Sequence, residues 1–136
     1  MKKLLTILLV FLCVLCIVGC SQQPQQVQGN ELIVEDNVIK IDVSSLPEEY
    51  NYSFNGENAK AIIDYLSNLN LESNFEENPN EYYGMTWVIS LEYDNGNELT
   101  VYHFGNMFIR AEEGPWYKMT YDEATRFDAL LSELNN

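Results

Sequence analysis

The stretch MTWVISLEYDNGNELTVYHFGNMFIRA, residues 85–111, is the most informative part of the sequence about the fold. Apolar and polar side chains alternate along the two runs that flank Asn95-Gly96, which is typical of strands that bury one face. Asn95-Gly96 itself is typical of a two-residue type I′ hairpin turn, because both positions of that turn need positive φ angles. Gly105-Asn106 predicts a second tight turn before a third strand at residues 107–111. The stretch therefore predicts an antiparallel β-meander.

The two turns, taken as two-residue loops, define a register for the meander. Asn95-Gly96 places Trp87 opposite Phe104, and Gly105-Asn106 places Phe104 opposite Met107. Both turns then place one mostly apolar set on the same sheet face: Trp87, Ile89, Leu91, Tyr102, Phe104, Met107 and Ile109. A slip of one residue at either turn would move a whole strand to the other face. We therefore expect this face to form the core, covered by one or both helices.

Two segments with helical periodicity flank the meander. The first helix follows Asn55-Gly56, and its apolar stripe consists of Ala59, Ile62, Ile63, Leu66 and Leu69. The last helix begins at the capping box formed by Thr120 and Glu123. Its apolar face consists of Ala124, Phe127, Leu130, Leu131 and Leu134. We expect both helices to pack on the sheet.

The remaining segments complete the predicted architecture. Short β-forming runs precede the first helix between residues 33 and 54, and residues 116–119 predict a short strand after the meander. Residues 70–81 are polar and predict a loop. The predicted fold class is α+β: an antiparallel β-meander of about four to five strands, with two helices packed on one face.

The same register defines a second sheet face, which is unusually apolar for a face left in water. It carries Val88, Ser90, Glu92, Leu99, Val101, His103, Phe108 and Arg110. Exposed apolar patches usually mark interaction sites, so we predict that a partner binds at Val101, His103, Phe108 and Arg110. The alternative is that residues 33–54, or one of the helices, cover this face.

The sequence contains no recognisable catalytic or metal-binding constellation. His103 is the only histidine, and neither a serine nor a cysteine nucleophile motif accompanies it. Asp94 and Glu98 flank a turn that lacks the twelve-residue spacing of a calcium-binding EF-hand loop. We therefore predict no enzymatic activity, no metal site and no cofactor. A small hydrolase that uses His103 or paired acidic residues stays open as an alternative.

The aromatic residues suggest a further alternative, a platform for a sugar or a peptide. The candidates are Tyr82-Tyr83, Trp87, Trp116-Tyr117 and Tyr121. Aromatic side chains are also ordinary strand and core residues, and the predicted register assigns Trp87 to the core.

Length and charge exclude several partner classes. The chain has 136 residues, with 21 Asp and Glu against 7 Lys and Arg, which gives a formal net charge of −14. This charge would repel nucleic-acid phosphates and anionic lipid surfaces. It favours a protein or peptide partner of basic character. The length suits a single small domain, which we assign to residues 31–136.

The first twenty residues do not belong to this domain. Met1-Lys2-Lys3 is a short positive region, residues 4–18 are a largely apolar run, and Gly19-Cys20 follows. This order is typical of a secretory signal peptide, which we assign to residues 1–19. Residues 20–30 are rich in glutamine and contain little that could be buried, so they predict a disordered tether.

Ile17-Val18-Gly19-Cys20 resembles the lipobox of bacterial lipoproteins. The resemblance implies that the leader is removed and that Cys20, as the first mature residue, carries a diacylglyceryl group on its thiol. Two acyl chains on one residue give stable membrane anchoring. Removal of Lys2 and Lys3 with the leader would change the net charge from −14 to −16. The alternatives are an uncleaved signal anchor, or secretion with a free Cys20 thiol.

The globular part resembles small uncharacterised lipoproteins of Gram-positive bacteria, which share a helix, a β-meander rich in Tyr and Trp, and a final helix. The resemblance rests on the stretch from Tyr102 to Glu123, and it implies no activity. We hypothesise a non-enzymatic interaction module, lipid-anchored on the extracytoplasmic face of the cell membrane, that binds an envelope protein or a basic peptide. The alternative function is a receptor domain for a small ligand or a cell-wall sugar.

Overall fold

The structure, a computed structural model, describes residues 23–136. In this range two α-helices and eight β-strands form an α+β fold with an antiparallel sheet, so the predicted fold class is confirmed. The elements are β1 (Gln25–Gln28), β2 (Val38–Leu46), β3 (Asn51–Phe54), α1 (Gly56–Ser67), β4 (Asn70–Ser73), β5 (Thr86–Tyr93), β6 (Glu98–Phe104), β7 (Phe108–Ala111), β8 (Tyr117–Lys118) and α2 (Tyr121–Leu134). The predicted count of four to five strands is wrong, because short polar strands extend the sheet beyond the meander.

The strands lie in the order β1-β4-β8-β7-β6-β5-β2-β3, and each pairs antiparallel with its neighbours. The meander β5-β6-β7 predicted from residues 85–111 occupies the middle of the sheet. The long strand β2 pairs with β5 along eight register positions, from Val38 opposite Tyr93 to Leu46 opposite Thr86. The sheet therefore has two edge strands, β1 and β3, among the described residues.

The predicted register of the meander is wrong by one residue at both turns. Trp87 lies opposite His103, not Phe104, and Phe104 lies opposite Phe108, not Met107. The first slip moves all of β6 to the other face, and the second returns β7 to its predicted face. Trp87, Ile89, Leu91 and Ile109 are therefore buried as predicted, whereas Tyr102, Phe104 and Met107 are only partly buried.

Each slip coincides with a hydrogen bond to a segment outside the meander. The N–H of Asp94 donates to the carbonyl of Asn37 at 2.9 Å, which draws Asp94 out of the ladder and makes the first loop three residues long. Gly96 takes the positive φ of 82° that such a loop requires. The predicted Gly105-Asn106 turn forms, with positive φ at both residues, but Met107 is an extra residue beyond it. The carbonyl of Met107 accepts the N–H of Met119 at 2.8 Å instead of pairing with β6.

Both helices contact the same face of the sheet, and the main core lies between that face and the helices. The predicted stripe of α1 is confirmed, with its four members inside the helix and Leu69 just beyond it all buried. The capping box at the start of α2 is also confirmed, because Thr120 Oγ1 accepts the N–H of Glu123 and the Glu123 carboxylate accepts the N–H of Thr120. Phe127 of α2 is fully buried and packs on Trp87 of β5.

The segments predicted to be irregular are partly strands. Gln25–Gln28 pairs with Asn70–Ser73, so a disordered tether is contradicted for these residues, and so is a plain loop at residues 70–81. Gly29 explains why the preceding residues form a strand. Its N–H donates to the Leu69 carbonyl at 2.8 Å, and it lies so close to the carbonyl of Leu66 that a Cβ would be only 1.8 Å away. Only glycine permits this approach to the end of α1.

The predicted signal peptide, the lipobox and Cys20 lie outside the described residues. Within the range 23–136, none of the helices combines the length and the apolar character needed to cross a membrane.

Candidate functional site

The four residues predicted to bind a partner lie on opposite faces of the sheet. Val101 and His103 are on the face beneath the helices, with exposed fractions of 0% and 1%. Phe108 and Arg110 are on the other face, which we call the open face because neither helix packs on it. The slip at the first turn accounts for this separation, since it reverses β6 but not β7. Only the pair on the open face belongs to a candidate binding surface.

His103 belongs to a buried polar cluster between the sheet and both helices. Its Nε2 lies 3.2 Å from the hydroxyl of Tyr65 in α1, and its ring stacks on Phe127 of α2 at 5.2 Å between centroids. The Tyr65 hydroxyl donates to the carbonyl of Glu123 at 3.0 Å. Because one hydroxyl proton serves one acceptor, this arrangement assigns the Nε2-protonated tautomer, in which His103 donates to Tyr65.

Burial decides the charge states in this cluster. It lowers the pKa of His103 from 6.5 to about 4, against the opposing effect of Asp128. Burial also raises the pKa of Tyr65 above its ordinary value, reinforced by Glu123. His103 is therefore neutral at physiological pH, and only 1% of its surface is exposed. The cluster ties the sheet to both helices.

Glu123 forms a second polar link between the layers. Burial disfavours its ionisation, yet the hydrogen bonds that it accepts from Asn70 and Thr120 hold its pKa below the usual range. The N–H of Asn70 reaches Oε1 at 2.9 Å, so the capping carboxylate of α2 also holds the start of β4.

The open face carries its own aromatic cluster, centred on Phe108. Although Phe108 lies on the open face, it is fully buried. The covering rings are those of Phe75, Tyr82, Phe104 and Trp116, with centroids 5.1 to 6.5 Å from that of Phe108. Phe75 and Tyr82 come from the segment between β4 and β5, which an ion pair between Glu77 and Lys118 holds against β8. Phe108 is therefore the base of the candidate surface and not a contact residue.

Arg110 lies beside this cluster and stacks on two aromatic rings. Its guanidinium carbon is 5.1 Å from the ring centroid of Tyr102 and 4.6 Å from that of Trp116. A cation over the face of an aromatic ring is attracted by the quadrupole of that ring. The nearest carboxylate, that of Glu113, lies 3.7 Å from Nη1. Stacking, not hydrogen bonding, therefore fixes the position of the guanidinium.

These groups line a shallow groove of about 390 Å³, which we call the Arg110 groove. Its lining consists of Leu46, Pro79, Asn80, Tyr82, Thr86, Tyr102, Phe104, Arg110 and Trp116. Arg110 is the only charged residue in this lining. Sequence reasoning missed most of the groove, because the predicted register assigned Tyr102 and Phe104 to the core and the lining comes from several distant segments. Tyr82 and Trp116 were predicted only as part of a possible platform.

A second groove, of about 400 Å³, lies between β3, β5 and the end of α2. Tyr50 stacks on Tyr52 at 6.3 Å, and Trp87 forms the floor. The indole N–H of Trp87 donates to Asp128 Oδ1 at 2.9 Å. Trp87 is thus a core residue, as predicted, and one edge of its ring lines this groove.

The predicted turn at Asp94 and Glu98 is explained by its own hydrogen bonds, since Asn95 Oδ1 accepts the N–H of Asn97 at 2.9 Å. In the described part of the chain, His, Cys, Asp and Glu side chains form no group of three that could hold a metal ion.

No known protein family, curated protein or solved structure matches the chain.

Proposed function

We propose that the protein is a non-enzymatic interaction module, lipid-anchored on the extracytoplasmic face of the cell membrane, that binds an envelope protein or peptide through the Arg110 groove. The observation that carries this proposal is the groove itself, in which aromatic side chains and one stacked arginine line an open cleft on the sheet. Aromatic residues and arginine are enriched at protein interfaces and dominate their binding energy.

Exposed apolar side chains beside the groove support a macromolecular partner. Leu46 lines the groove with half of its side chain exposed, and Tyr83, next to the lining residue Tyr82, is 98% exposed. The groove volume suits one or two anchoring side chains of an extended segment. The net charge of −14 favours a partner that is basic outside its anchoring segment.

Anchoring rests on the lipobox resemblance at Cys20. Because β1 begins at Gln25, only four residues separate the lipid site at Cys20 from the sheet, and the five steps of chain span at most about 18 Å. In this proposal the β1 edge of the sheet stays close to the membrane surface, and the tether is shorter than the ten residues expected from the sequence.

The second candidate function is a receptor for a small ligand or a cell-wall sugar, and the groove at Tyr50 favours it. Tyr50 is 46% exposed beside the polar side chains of Ser132, Asn135 and Asn136. A flat aromatic surface with a few polar groups at its border suits a small polar ligand. The two functions differ in which groove must stay intact for binding.

The proposal predicts the effect of a charge placed in the Arg110 groove. The immobilised full-length protein, in detergent, is incubated with solubilised envelope and washed at high salt. Leu46→Asp is expected to reduce the captured partner at least about tenfold, because a buried unpaired carboxylate at an apolar contact is strongly unfavourable. Ile39→Asp is the matched control, since Ile39 is equally exposed on the same strand and lies outside the groove.

Equal capture by both variants and the unaltered protein would exclude the groove as the binding site. Loss of capture in both would mean that charge alone weakens binding, and it would contradict the proposal as well.

A further inference from the structure

The guanidinium of Arg110 has hydrogen-bonding capacity that the described part of the chain does not use. An arginine carries five N–H donors in a planar fork. The Nε–H of Arg110 is buried without a partner, and its only ion-pair contact, with Glu113, is longer than a hydrogen bond. The two aromatic rings hold the guanidinium in the groove lining with a quarter of its side chain exposed.

The position of Glu113 shows that a carboxylate can approach the Arg110 guanidinium. Its side chain is 90% exposed and its carboxylate oxygen lies 3.7 Å from Nη1. Exposed ion pairs of this kind contribute little, so an incoming group can displace Glu113 at small cost. Glu113 is thus a weak counter-ion for Arg110, and a ligand carboxylate that reaches Nη1 would compete with it.

The surroundings favour a single carboxylate over other anions or an extended acidic segment. The planar fork of arginine matches a carboxylate in bidentate geometry, and the aromatic lining strengthens the pair by excluding water. Arg110 is the one cation in the lining, and the net charge of −14 repels further acidic groups.

We propose that the segment bound in the Arg110 groove carries one Asp or Glu side chain, whose carboxylate pairs with Arg110 in place of Glu113. This proposal rests on the proposed function, and it specifies the chemistry of the partner: an apolar, extended segment with one acidic residue in an otherwise neutral or basic context.

The test uses two capped pentapeptides, acetyl-Leu-Pro-Glu-Pro-Leu-amide and its glutamine analogue, titrated calorimetrically into the full-length protein in detergent. Proline-containing extended segments dock in aromatic-lined grooves, so both peptides are suitable probes. The glutamate peptide is expected to bind about tenfold more tightly, as a charge-assisted hydrogen bond predicts. Arg110→Gln is expected to remove this difference. Glu113→Gln, which changes only an exposed side chain, is expected to strengthen binding of the glutamate peptide about threefold and to leave the analogue unchanged.

Equal affinities of the two peptides for the unaltered protein would overturn the inference while leaving the proposed function intact, provided that Leu46→Asp still reduces capture of the envelope partner at least about tenfold. Failure of both peptides to bind would also overturn it. If Arg110→Gln does not fold, Glu113→Gln alone decides, because an unchanged preference for glutamate in that variant contradicts displacement of Glu113.

Discussion

Replacing Phe127 with alanine is expected to lower the free energy of unfolding by about 4 kcal/mol, as found when large aromatic side chains are removed from protein cores. Phe127 has no exposed surface, and its ring contacts Tyr65, Trp87 and His103. It therefore fills the space between α1, α2 and the sheet. A domain of this size is stable by roughly 5–15 kcal/mol, so the loss would be a large part of the total.

The measurement is urea unfolding followed by far-UV circular dichroism. Tyr121→Ala is the control, because Tyr121 is 66% exposed in the same helix and its removal should change stability by less than about 0.5 kcal/mol. Similar midpoints for the two variants would show that α2 does not pack on the sheet through Phe127.

The second large effect is a loss of stability in mild acid that depends on His103. Its pKa is lowered to about 4 in the folded protein from 6.5 in the unfolded chain, because burial disfavours the charged ring. The unfolded chain therefore binds the proton first as the pH falls. The contribution of neutral His103 to the free energy of unfolding is therefore fully present above pH 6.5. As the pH falls to 4, the free energy of unfolding decreases by about 3 kcal/mol because of this group.

The variant His103→Leu isolates the contribution of His103 to the pH dependence. The unaltered protein and the variant have the same carboxylates, so the effects of these groups cancel in the comparison. Tyr65 keeps its hydrogen bond to the Glu123 carbonyl in the variant, so the hydroxyl is not left without a partner. The stability of the unaltered protein relative to the variant is expected to decrease by about 3 kcal/mol between pH 7 and pH 4. A difference that does not change with pH would mean that His103 takes up its proton in the folded protein, and so is accessible to water.

The elements that depend on local sequence were predictable, and those that depend on tertiary contacts were not. The capping box at Thr120 and the apolar stripe of α1 require only neighbouring residues. The register of the meander instead depends on a hydrogen bond between Asp94 and Asn37, which are far apart in sequence. Strand β1 depends on the close contact of Gly29 with the end of α1, and no alternation in a glutamine-rich segment indicates it.

The dependence of the register on tertiary contacts also explains which residues of the candidate site were predicted correctly. Arg110 was predicted to lie on the face away from the core, and it does, because two slips of one residue cancel at β7. His103 was predicted to lie beside it and is instead buried, because only one slip acts on β6. Phe108 is covered by Phe75, from the polar segment predicted to be a loop, and by Tyr82, which was predicted only as part of a possible aromatic platform.

Site-specific photo-cross-linking in intact cells distinguishes a partner that docks on the open face from one that docks on the helices. Benzoylphenylalanine replaces Tyr82, which lines the Arg110 groove, or Tyr121, which is exposed on α2. We expect one discrete cross-linked partner from position 82, lost when Leu46→Asp is added, and none from position 121. A partner captured from position 121 alone, or from position 82 irrespective of Leu46→Asp, would contradict docking in the Arg110 groove.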